Sequence, residues 1–247
     1  MQDREPVLQR AAIVCHRGAC LMAPENTLAS LEAAIALGAE AVEFDIRTSQ
    51  DGVLYVHHDA TVDRTTNGTG RFADLMSFEI DQLDAGTWFD TRFAGERVPR
   101  LDTFLDACAG RIATYAEIKD ADPAVVRDML ARRGLLSTAW TFSFDQSIRA
   151  QTRAKVPDFR RMVLFQHVGT IERAVALSAH ILEFHADDLT PERADAAREA
   201  GLITQMFYGG EDRAVFEHAV RCGIQQMNID HVDIYREVEA ELIATAD

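Results

Sequence analysis

Short apolar runs alternate along this chain with segments whose apolar residues recur every three or four positions. The runs have the length of buried strands, and the periodic segments have the spacing of amphipathic helices. The predicted strands of this alternation span residues 11–15, 41–46, 114–119, 140–144, 161–165, 181–185, 203–207 and 226–229. The predicted helices follow them and span residues 27–37, 102–109, 124–133, 145–155, 170–179, 191–200, 212–222 and 233–244. Eight β/α units in 247 residues predict an α/β fold, a TIM (β/α)8 barrel, whose first helix is expected to begin with Asn26 as its N-cap.

The alternation stops between residues 47 and 100, after the second strand. Asp51-Gly52 predicts a tight turn, and residues 53–57 beyond it, which begin with four apolar side chains, predict a returning strand. Because this link is too short for a parallel crossover, we expect a β-hairpin. The remainder is rich in Thr, Asp and Gly and shows no period. We therefore predict a small inserted subdomain at residues 47–100, over the barrel mouth of a single catalytic domain that spans residues 1–247.

Acidic residues occupy alternate positions of the second predicted strand. Glu43 and Asp45 share one face of it, and Glu117 and Lys119 share one face of the third strand. Two carboxylates about 4 Å apart repel each other by on the order of 4 kcal/mol at an effective dielectric near 20, which one lysine does not offset. The alternative is a set of solvated surface charges, but the ends of barrel strands are where active sites lie. The pattern therefore predicts a divalent cation, Mg²⁺ or Ca²⁺, held by oxygen ligands.

Histidines stand directly after two of the predicted strands. His16 and Arg17 follow the first strand, whereas His57 and His58 end the returning strand on opposite faces. Only one of the latter pair is expected to face the site, and spacing does not choose between them. Two histidines, an arginine, a lysine and a bound cation suit attack on a phosphodiester, because the cations neutralise the phosphate oxygens and the imidazoles move protons near neutral pH.

Charge and composition limit the classes of partner and the compartment that we expect for this protein. The formal net charge of −15 argues against nucleic-acid or anionic-membrane binding through bulk charge. No apolar run approaches the length of a membrane span, and the polar start Met1–Pro6 lacks the core of a signal peptide, so we expect a cytoplasmic protein without stable membrane insertion. Whether it forms a homo-oligomer is left open. The scattered cysteines predict reduced thiols rather than a disulfide frame or a zinc site.

Several motifs in the first half resemble, in order, those of the glycerophosphodiester phosphodiesterase family. They are His16-Arg17-Gly18, Pro24-Glu25-Asn26-Thr27, Glu43-Phe44-Asp45, Asp51-Gly52, His58-Asp59, Arg64-Thr65-Thr66-Asn67-Gly68, Val98-Pro99-Arg100-Leu101 and Glu117-Ile118-Lys119. The resemblance implies a TIM barrel with an insertion after strand two. It also implies that the metal ligands are Glu43, Asp45 and Glu117, that the acid/base pair is His16 and His58 rather than His57, and that the phosphate contacts are Arg17 and Lys119.

The second half resembles the family less closely. Where many members carry a Trp-Thr pair on strand seven, this chain has Met206-Phe207-Tyr208-Gly209-Gly210. We expect Tyr208 and some insertion aromatics to wall the pocket for the leaving alcohol, while most insertion aromatics form a small core of their own. The two glycines are expected to let the backbone turn sharply or approach a ligand.

The implied substrate is a small-molecule phosphodiester. The expected reaction is metal-dependent hydrolysis of a glycerophosphodiester to sn-glycerol 3-phosphate and an alcohol, with direct attack by water and a cyclic phosphate intermediate both open. Cleavage of a lysophospholipid or a sugar phosphodiester by the same site is an alternative. A phosphoester-binding barrel without catalysis is a further alternative, although binding alone does not need two titrating imidazoles.

Overall fold

The structure, a computed structural model, describes residues 10–246. The polar N-terminal segment from which retention in the cytoplasm was predicted lies outside the described residues. The described residues form two compact units, one of Cys15–Phe159 and one that combines the described residues before Cys15 with those after Phe159. We call them the first-half unit and the second-half unit and describe each by itself.

Strands and helices alternate through the described part of the chain as the sequence predicts. The strands are β1 (Ala12–Cys15), β2 (Ala41–Thr48), β3 (Leu54–Val56), β4 (Ala113–Ile118), β5 (Trp140–Phe142), β6 (Arg160–Leu164), β7 (Ile181–Phe184), β8 (Ile203–Tyr208) and β9 (Gln226–Ile229). The α-helices are α1 (Leu28–Ala36), α2 (Ser77–Ile80), α3 (Leu101–Cys108), α4 (Pro123–Arg132), α5 (Gln146–Lys155), α6 (Phe165–Val168), α7 (Ile171–Ala176), α8 (Pro191–Glu199), α9 (Arg213–Arg221) and α10 (Val232–Ala246). The fold is a TIM (β/α)8 barrel, as predicted, and the hairpin strand β3 is additional to its eight strands.

In the first-half unit, β2 pairs with β4 in parallel, and β4 pairs with β5 in parallel. The register places Asp45 of β2 directly beside Glu117 of β4. The apolar face of β2 is buried as well, and the Phe44 ring packs against Phe104 of α3 at 4.9 Å between centroids. Because both faces of β2 are buried, the acidic alternation of Glu43 and Asp45 does not mark a solvated side of the strand.

The insertion begins with the predicted hairpin, since β3 runs antiparallel to β2. Its core includes Tyr55, Val62, Phe72 and Ile80. The expectation concerned five aromatics, namely Phe72, Phe78, Trp88, Phe89 and Phe93. It is wrong that most of them fill this core, because Phe72 alone of the five belongs to it, while aliphatic side chains and Tyr55 occupy the remaining space. The other four lie elsewhere: Phe78 and Trp88 are exposed, and Trp88, Phe89 and Phe93 form a chain of edge-to-face contacts.

In the second-half unit, β6, β7, β8 and β9 pair in sequence, all in parallel. Helices α9 and α10 pack through the rings of Phe216 and Tyr235, 5.5 Å apart. The buried Glu239 of α10 accepts a hydrogen bond of 2.7 Å from the backbone N–H of Ala11 and thereby ties the start of the chain to this unit.

Two further observations concern membranes and cysteines. The longest described helix, α10, has 15 residues, and none of the described helices combines the length and the apolar character that crossing a bilayer requires. The four cysteines are free thiols, in agreement with the prediction from their spacing; they are Cys15, Cys20, Cys108 and Cys222.

Candidate active site

The loop after β1 is held in a strained conformation. Arg17 and Asn26 both have left-handed backbone angles, with φ of +56° and +58°, which are costly for residues that carry a Cβ. Gly18 between them has φ of +80°, and a Cβ there would come within 2.4 Å of Ser30 Oγ, so only glycine fits. The Arg17 carbonyl accepts hydrogen bonds from the Asn26 N–H at 3.0 Å and from Ser30 Oγ at 3.1 Å. These bonds fix the loop that carries half-buried His16 and Arg17.

Asn26 is not the N-cap of α1, contrary to the prediction. Thr27 caps the helix, and its hydroxyl and that of Ser30 form a reciprocal capping box. Asn26 instead directs its side chain at Asp45, donating from Nδ2 to Oδ2 at 2.8 Å and accepting from the Asp45 backbone N–H at 3.2 Å. A left-handed residue cannot begin a helix as its cap, because an N-cap has extended backbone angles.

The three predicted metal ligands come together in the first-half unit. Glu43 and Asp45 are buried, and Glu117 is nearly so. One carboxylate oxygen from each of the three lies within 4.8 Å of the others. Oxygen ligands of a single Mg²⁺ or Ca²⁺ stand roughly 2.0–2.6 Å from the ion and therefore at most about 5 Å from one another, so this spread suits one cation.

Both predicted basic side chains reach these acids. Lys119 Nζ lies 2.9 Å from Asp45 Oδ1 and also hydrogen-bonds Glu117 Oε1. Arg17 Nε lies 3.6 Å from Asp45 Oδ2, and the backbone N–H of Arg17 donates to Glu43 Oε2 at 2.8 Å. Two positive side chains thus face three carboxylates, which leaves a deficit of positive charge in a buried place.

The pKa values of the acids reflect this deficit. Burial, followed by repulsion from Asp45 and Glu117, raises the pKa of Glu43 well above its usual range. Burial and the charge of Asp45 raise the pKa of Glu117 as well. Burial alone would raise the pKa of Asp45, but Lys119, His58, Arg17 and the Asn26 amide together lower it. A bound divalent cation would let all three ionise, so the donor set fits such an ion.

The two neighbouring histidines have different surroundings. His57 is buried, its Nε2 lies 2.9 Å from the Thr61 carbonyl, and its ring stacks on Phe72 of the insertion core. His58 is partly exposed, and its Nδ1 lies 2.6 Å from Asp59 Oδ1. Burial lowers the pKa of both, while the charge of Asp45 counteracts this more strongly at His58. The structure therefore brings His58 into the electrostatic field of the acids and places His57 in the insertion core.

Four side chains that the sequence did not assign to the site support it. Glu25 accepts a hydrogen bond of 2.9 Å from Arg17 Nη1, and Arg64 hydrogen-bonds both Glu25 and Asp59. Asn26 holds Asp45, as described. All four lie within the quoted motifs, but motif membership carries no information on which atoms meet; they are Glu25, Asn26, Asp59 and Arg64.

Phe144 follows β5 and is 61% exposed. Lys119 Nζ lies 5.8 Å from the centroid of this ring, within the range of a cation–π contact. An exposed aromatic side chain beside a phosphate-binding candidate can offer an apolar surface to a substrate. In the sequence, Phe144 is the last residue of the predicted strand 140–144.

Tyr208 ends β8 in the second-half unit. Its ring packs edge-to-face on Phe216, 5.3 Å between centroids, and its hydroxyl accepts from the Asp212 N–H at 3.3 Å. A Cβ at Gly210 would come within 2.5 Å of the Tyr208 hydroxyl oxygen, so this glycine makes room for the tyrosine itself. The φ of Gly210 is not positive. The need for a glycine at position 210 therefore comes from this packing and not from a sharp turn of the backbone. The role of Tyr208 in the alcohol pocket stays a prediction.

The comparisons with known proteins agree on one family. A profile of the glycerophosphoryl diester phosphodiesterase family matches residues 16–234. The chain is 48% identical over 237 residues to a glycerophosphodiester phosphodiesterase of Caldanaerobacter subterraneus subsp. tengcongensis, which covers 90% of this chain and 94% of that one. A Bacillus subtilis relative is 35% identical over 150 residues, which is 61% of each chain.

Solved structures are similar over nearly the whole length. The crystal structure of a glycerophosphodiester phosphodiesterase from Agrobacterium tumefaciens str. C58 has a TM-score of 0.88 and 40% identity, covering 92% of this chain and 100% of that chain. An Oleispira antarctica phosphodiesterase in complex with the product sn-glycerol-3-phosphate has a TM-score of 0.81 over 92% of this chain and 96% of that one. Its identity of 24% supports the shared fold alone.

Proposed function

Because the chain belongs to the glycerophosphoryl diester phosphodiesterase family and is thus a phosphodiesterase of glycerophosphodiesters, we propose that it works with a divalent cation and histidine acid/base catalysis. The products would be sn-glycerol 3-phosphate and an alcohol. The observation that carries this proposal is the meeting of three carboxylates with Lys119 and Arg17 in one buried place.

Glu43, Asp45 and Glu117 would hold the cation, Mg²⁺ or Ca²⁺. When bound, such an ion supplies Lewis-acid stabilisation of the charge on the phosphate oxygens. Arg17 and Lys119 would contact the same phosphate group, and their carboxylate partners hold the two side chains in place. Positive side chains aimed at phosphate oxygens favour the transition state, because charge on those oxygens is what a phosphoryl transfer must accommodate.

His16 and His58 would exchange protons with the attacking hydroxyl and with the leaving alkoxide. Asp59 is ionised, since hydrogen bonds from Arg64 and from His58 hold its pKa well below the usual range. A carboxylate only accepts hydrogen bonds, so the proton between the two groups belongs to His58 Nδ1. This leaves Nε2 as the ring nitrogen of His58 that can give or take a proton.

The nucleophile is either water or the substrate's own 2-hydroxyl, which would give a cyclic phosphate first. Phosphorus NMR during turnover separates the two routes, because a cyclic glycerophosphate has a resonance distinct from that of the monoester.

Specificity for the alcohol would come from aromatic surfaces. Tyr208 would contact the leaving alcohol, and a choline-like group would gain about 0.5–2 kcal/mol against an aromatic face. We expect Tyr208→Ala to change the ranking of substrates in a panel of glycerophosphocholine, glycerophosphoethanolamine, lysophosphatidylcholine and sugar phosphodiesters. An equal loss on all of them, or no loss, would show that Tyr208 does not touch the alcohol. A wild-type preference for the lysophospholipid or the sugar diester would favour those alternatives.

The test of metal dependence is direct. Enzyme stripped with a chelator and passed through a desalting column should release no choline from glycerophosphocholine, and added Mg²⁺ or Ca²⁺ should restore release. The ion that restores more activity at equal concentration identifies the better cofactor. Undiminished release from the stripped enzyme, with metal content checked by mass spectrometry, would refute the metal site.

A further inference from the structure

Arg64 lies in the insertion and binds two carboxylates at once. Its Nη1 and Nη2 donate to the two oxygens of Glu25 at 2.8 and 2.9 Å. Its Nε and Nη2 donate to the two oxygens of Asp59 at 2.6 and 3.1 Å. The planar fork of a guanidinium matches a carboxylate on each of two edges, which a lysine ammonium cannot do.

Each of these carboxylates holds a different part of the proposed catalytic machinery. Glu25 Oε1 also accepts from Arg17 Nη1 at 2.9 Å. Asp59 Oδ1 accepts from His58 Nδ1, 2.6 Å away. A continuous series of hydrogen bonds therefore runs from the phosphate-binding arginine through Arg64 to the proton-transfer histidine.

We propose that Arg64 is a positioning residue that aligns Arg17, through Glu25, and His58, through Asp59, with the same substrate phosphate. Within the described part of the chain, its ion pairs are with Glu25 and Asp59 and with none of the three clustered acids, so it would act through its neighbours and not on the reacting atoms. The inference rests on the proposed function, because it assigns Arg17 and His58 the roles given above.

The bonds of Arg64 to its two carboxylates have separable consequences. Loss of the Arg64–Glu25 bonds would free the Arg17 side chain and weaken substrate binding, which raises KM. Loss of the Arg64–Asp59 bonds would free the His58 ring and lower kcat, because a general acid or base works only at the correct angle and distance. Removal of supporting partners of this kind lowers activity by roughly 10–100-fold in well-studied sites.

The alternative is that Arg64 only keeps the insertion folded. Arg100 offers a matched control, because it is an insertion-boundary arginine that is also bidentate to a carboxylate, at 3.0 and 2.5 Å to Asp81. Its side chain is 41% exposed, against 45% for Arg64. The Tyr55 hydroxyl donates to Asp81, and the Arg100 guanidinium lies over the Tyr55 ring. Within the described residues, the hydrogen bonds of the Arg100 and Asp81 side chains involve none of the proposed catalytic side chains.

The experiment is a set of double-mutant cycles on metal-saturated enzyme with glycerophosphocholine. Arg64→Gln should lower kcat by about 10–100-fold and raise KM. In an Asp59→Asn background it should affect KM alone, and in a Glu25→Gln background it should affect kcat alone. Arg100→Gln should change both constants by less than about twofold. Full additivity of Arg64→Gln on both backgrounds, or an equal effect of Arg100→Gln, would overturn the proposal.

A second measurement does not depend on turnover. In spectra of histidine labelled with nitrogen-15, the His58 resonances, assigned by their absence in His58→Ala, should show a protonated Nδ1 in the wild type. In Arg64→Gln the two tautomers should mix, whereas in Arg100→Gln the wild-type pattern should persist. An unchanged His58 signal in Arg64→Gln overturns the inference whether or not the enzyme cleaves a diester. A wild type without diesterase activity but with the expected spectra would refute the proposed function and leave the alignment standing.

Discussion

At the scale of single residues, the site is defined by acids that are costly to bury together. Glu43, Asp45 and Glu117 share one place with Lys119 and Arg17, and the raised pKa values of Glu43 and Glu117 show that these two positive side chains do not fully compensate three carboxylates. Such a surplus of negative charge is unfavourable for folding and favourable for binding a cation.

Glu43→Gln should therefore affect stability and metal binding in opposite directions. Without metal, the variant should melt at a higher temperature than the wild type, because a buried like-charge repulsion is removed. Its affinity for Mg²⁺ or Ca²⁺ should fall by at least about tenfold, equal to roughly 1.4 kcal/mol, and excess metal should restore part of the activity. Calorimetry on the stripped proteins and metal titration measure both effects. If the variant bound metal like the wild type, Glu43 would not be a ligand.

The adjacent histidines provide a second prediction at this scale. His58→Ala should keep the metal affinity and lose roughly 10²–10⁴-fold in kcat, because it removes a proton-transfer group. His57→Ala should mainly lower stability, because the His57 ring is buried against Phe72 and its Nε2 is within hydrogen-bond distance of the Thr61 carbonyl. Steady-state kinetics and thermal melts on both variants make the comparison. An inactive His57→Ala beside an active His58→Ala would reverse the assignment.

At the scale of elements, β2 and its hairpin organise the first-half unit. The strand carries two acids on one face, packs Phe44 on α3 with the other, and continues through the Asp51-Gly52 turn into β3. The turn is also connected to α2, because the Asp51 carboxylate accepts from the N–H and hydroxyl of Ser77 at 2.8 and 2.6 Å and from Ser49 Oγ at 2.7 Å. This carboxylate is one of several links between the hairpin and α2, beside the Tyr55 hydroxyl, which donates to the Ser77 carbonyl at 3.0 Å.

This attachment predicts a pH dependence of stability. The hydrogen bond from Ser77, with that from Ser49, lowers the pKa of Asp51 from 3.8 to about 2. A depressed folded-state pKa contributes stability that is present above the unfolded value of 3.8 and is lost as the pH falls through about 2. Asp51→Asn should lower the urea midpoint near pH 6, and its difference from the wild type should shrink as the pH falls below about 4.

Asp74→Asn is the control, because Asp74 is an exposed acid of the same insertion. It should leave the urea midpoint unchanged at each pH. A carbon-13 titration of the Asp51 carboxyl with a midpoint near 4 would contradict the prediction directly.

At the scale of the whole molecule, the dominant property is a formal net charge of −15. The charge repels an anionic substrate at long range, so binding depends on the local positive groups Arg17 and Lys119 and on a bound cation. Screening shortens the range of that repulsion from about 30 Å at 0.01 M salt to about 10 Å at 0.1 M.

Added salt should therefore act differently on two classes of diester. With NaCl raised from about 0.01 to 0.1 M at fixed metal concentration, kcat/KM for glycerophosphoglycerol, which carries a net negative charge, should rise severalfold. The value for zwitterionic glycerophosphocholine should change little. An equal response of the two substrates would mean that the net charge does not control their approach.

The sequence by itself determined the order and type of the elements and the residues that could carry chemistry. Apolar periodicity is a local property, because it depends only on which residues one strand or helix turns toward the core. For the same reason the alternation on β2 placed Glu43 and Asp45 on one face, and the hairpin placed His57 and His58 on opposite faces. The predicted TIM barrel, the hairpin and the free cysteines are confirmed by the structure.

Tertiary structure alone decided what those side chains meet. The sequence around Asn26 predicts a helix cap, yet the backbone of Asn26 is left-handed and its amide binds Asp45, 19 residues away. Arg64 lies 39 residues from Glu25, and nothing in either motif indicates their bidentate contact. Partners at such separations are set by how elements pack and not by local propensity, which is why the support of the acids and of His58 could not be predicted from the sequence.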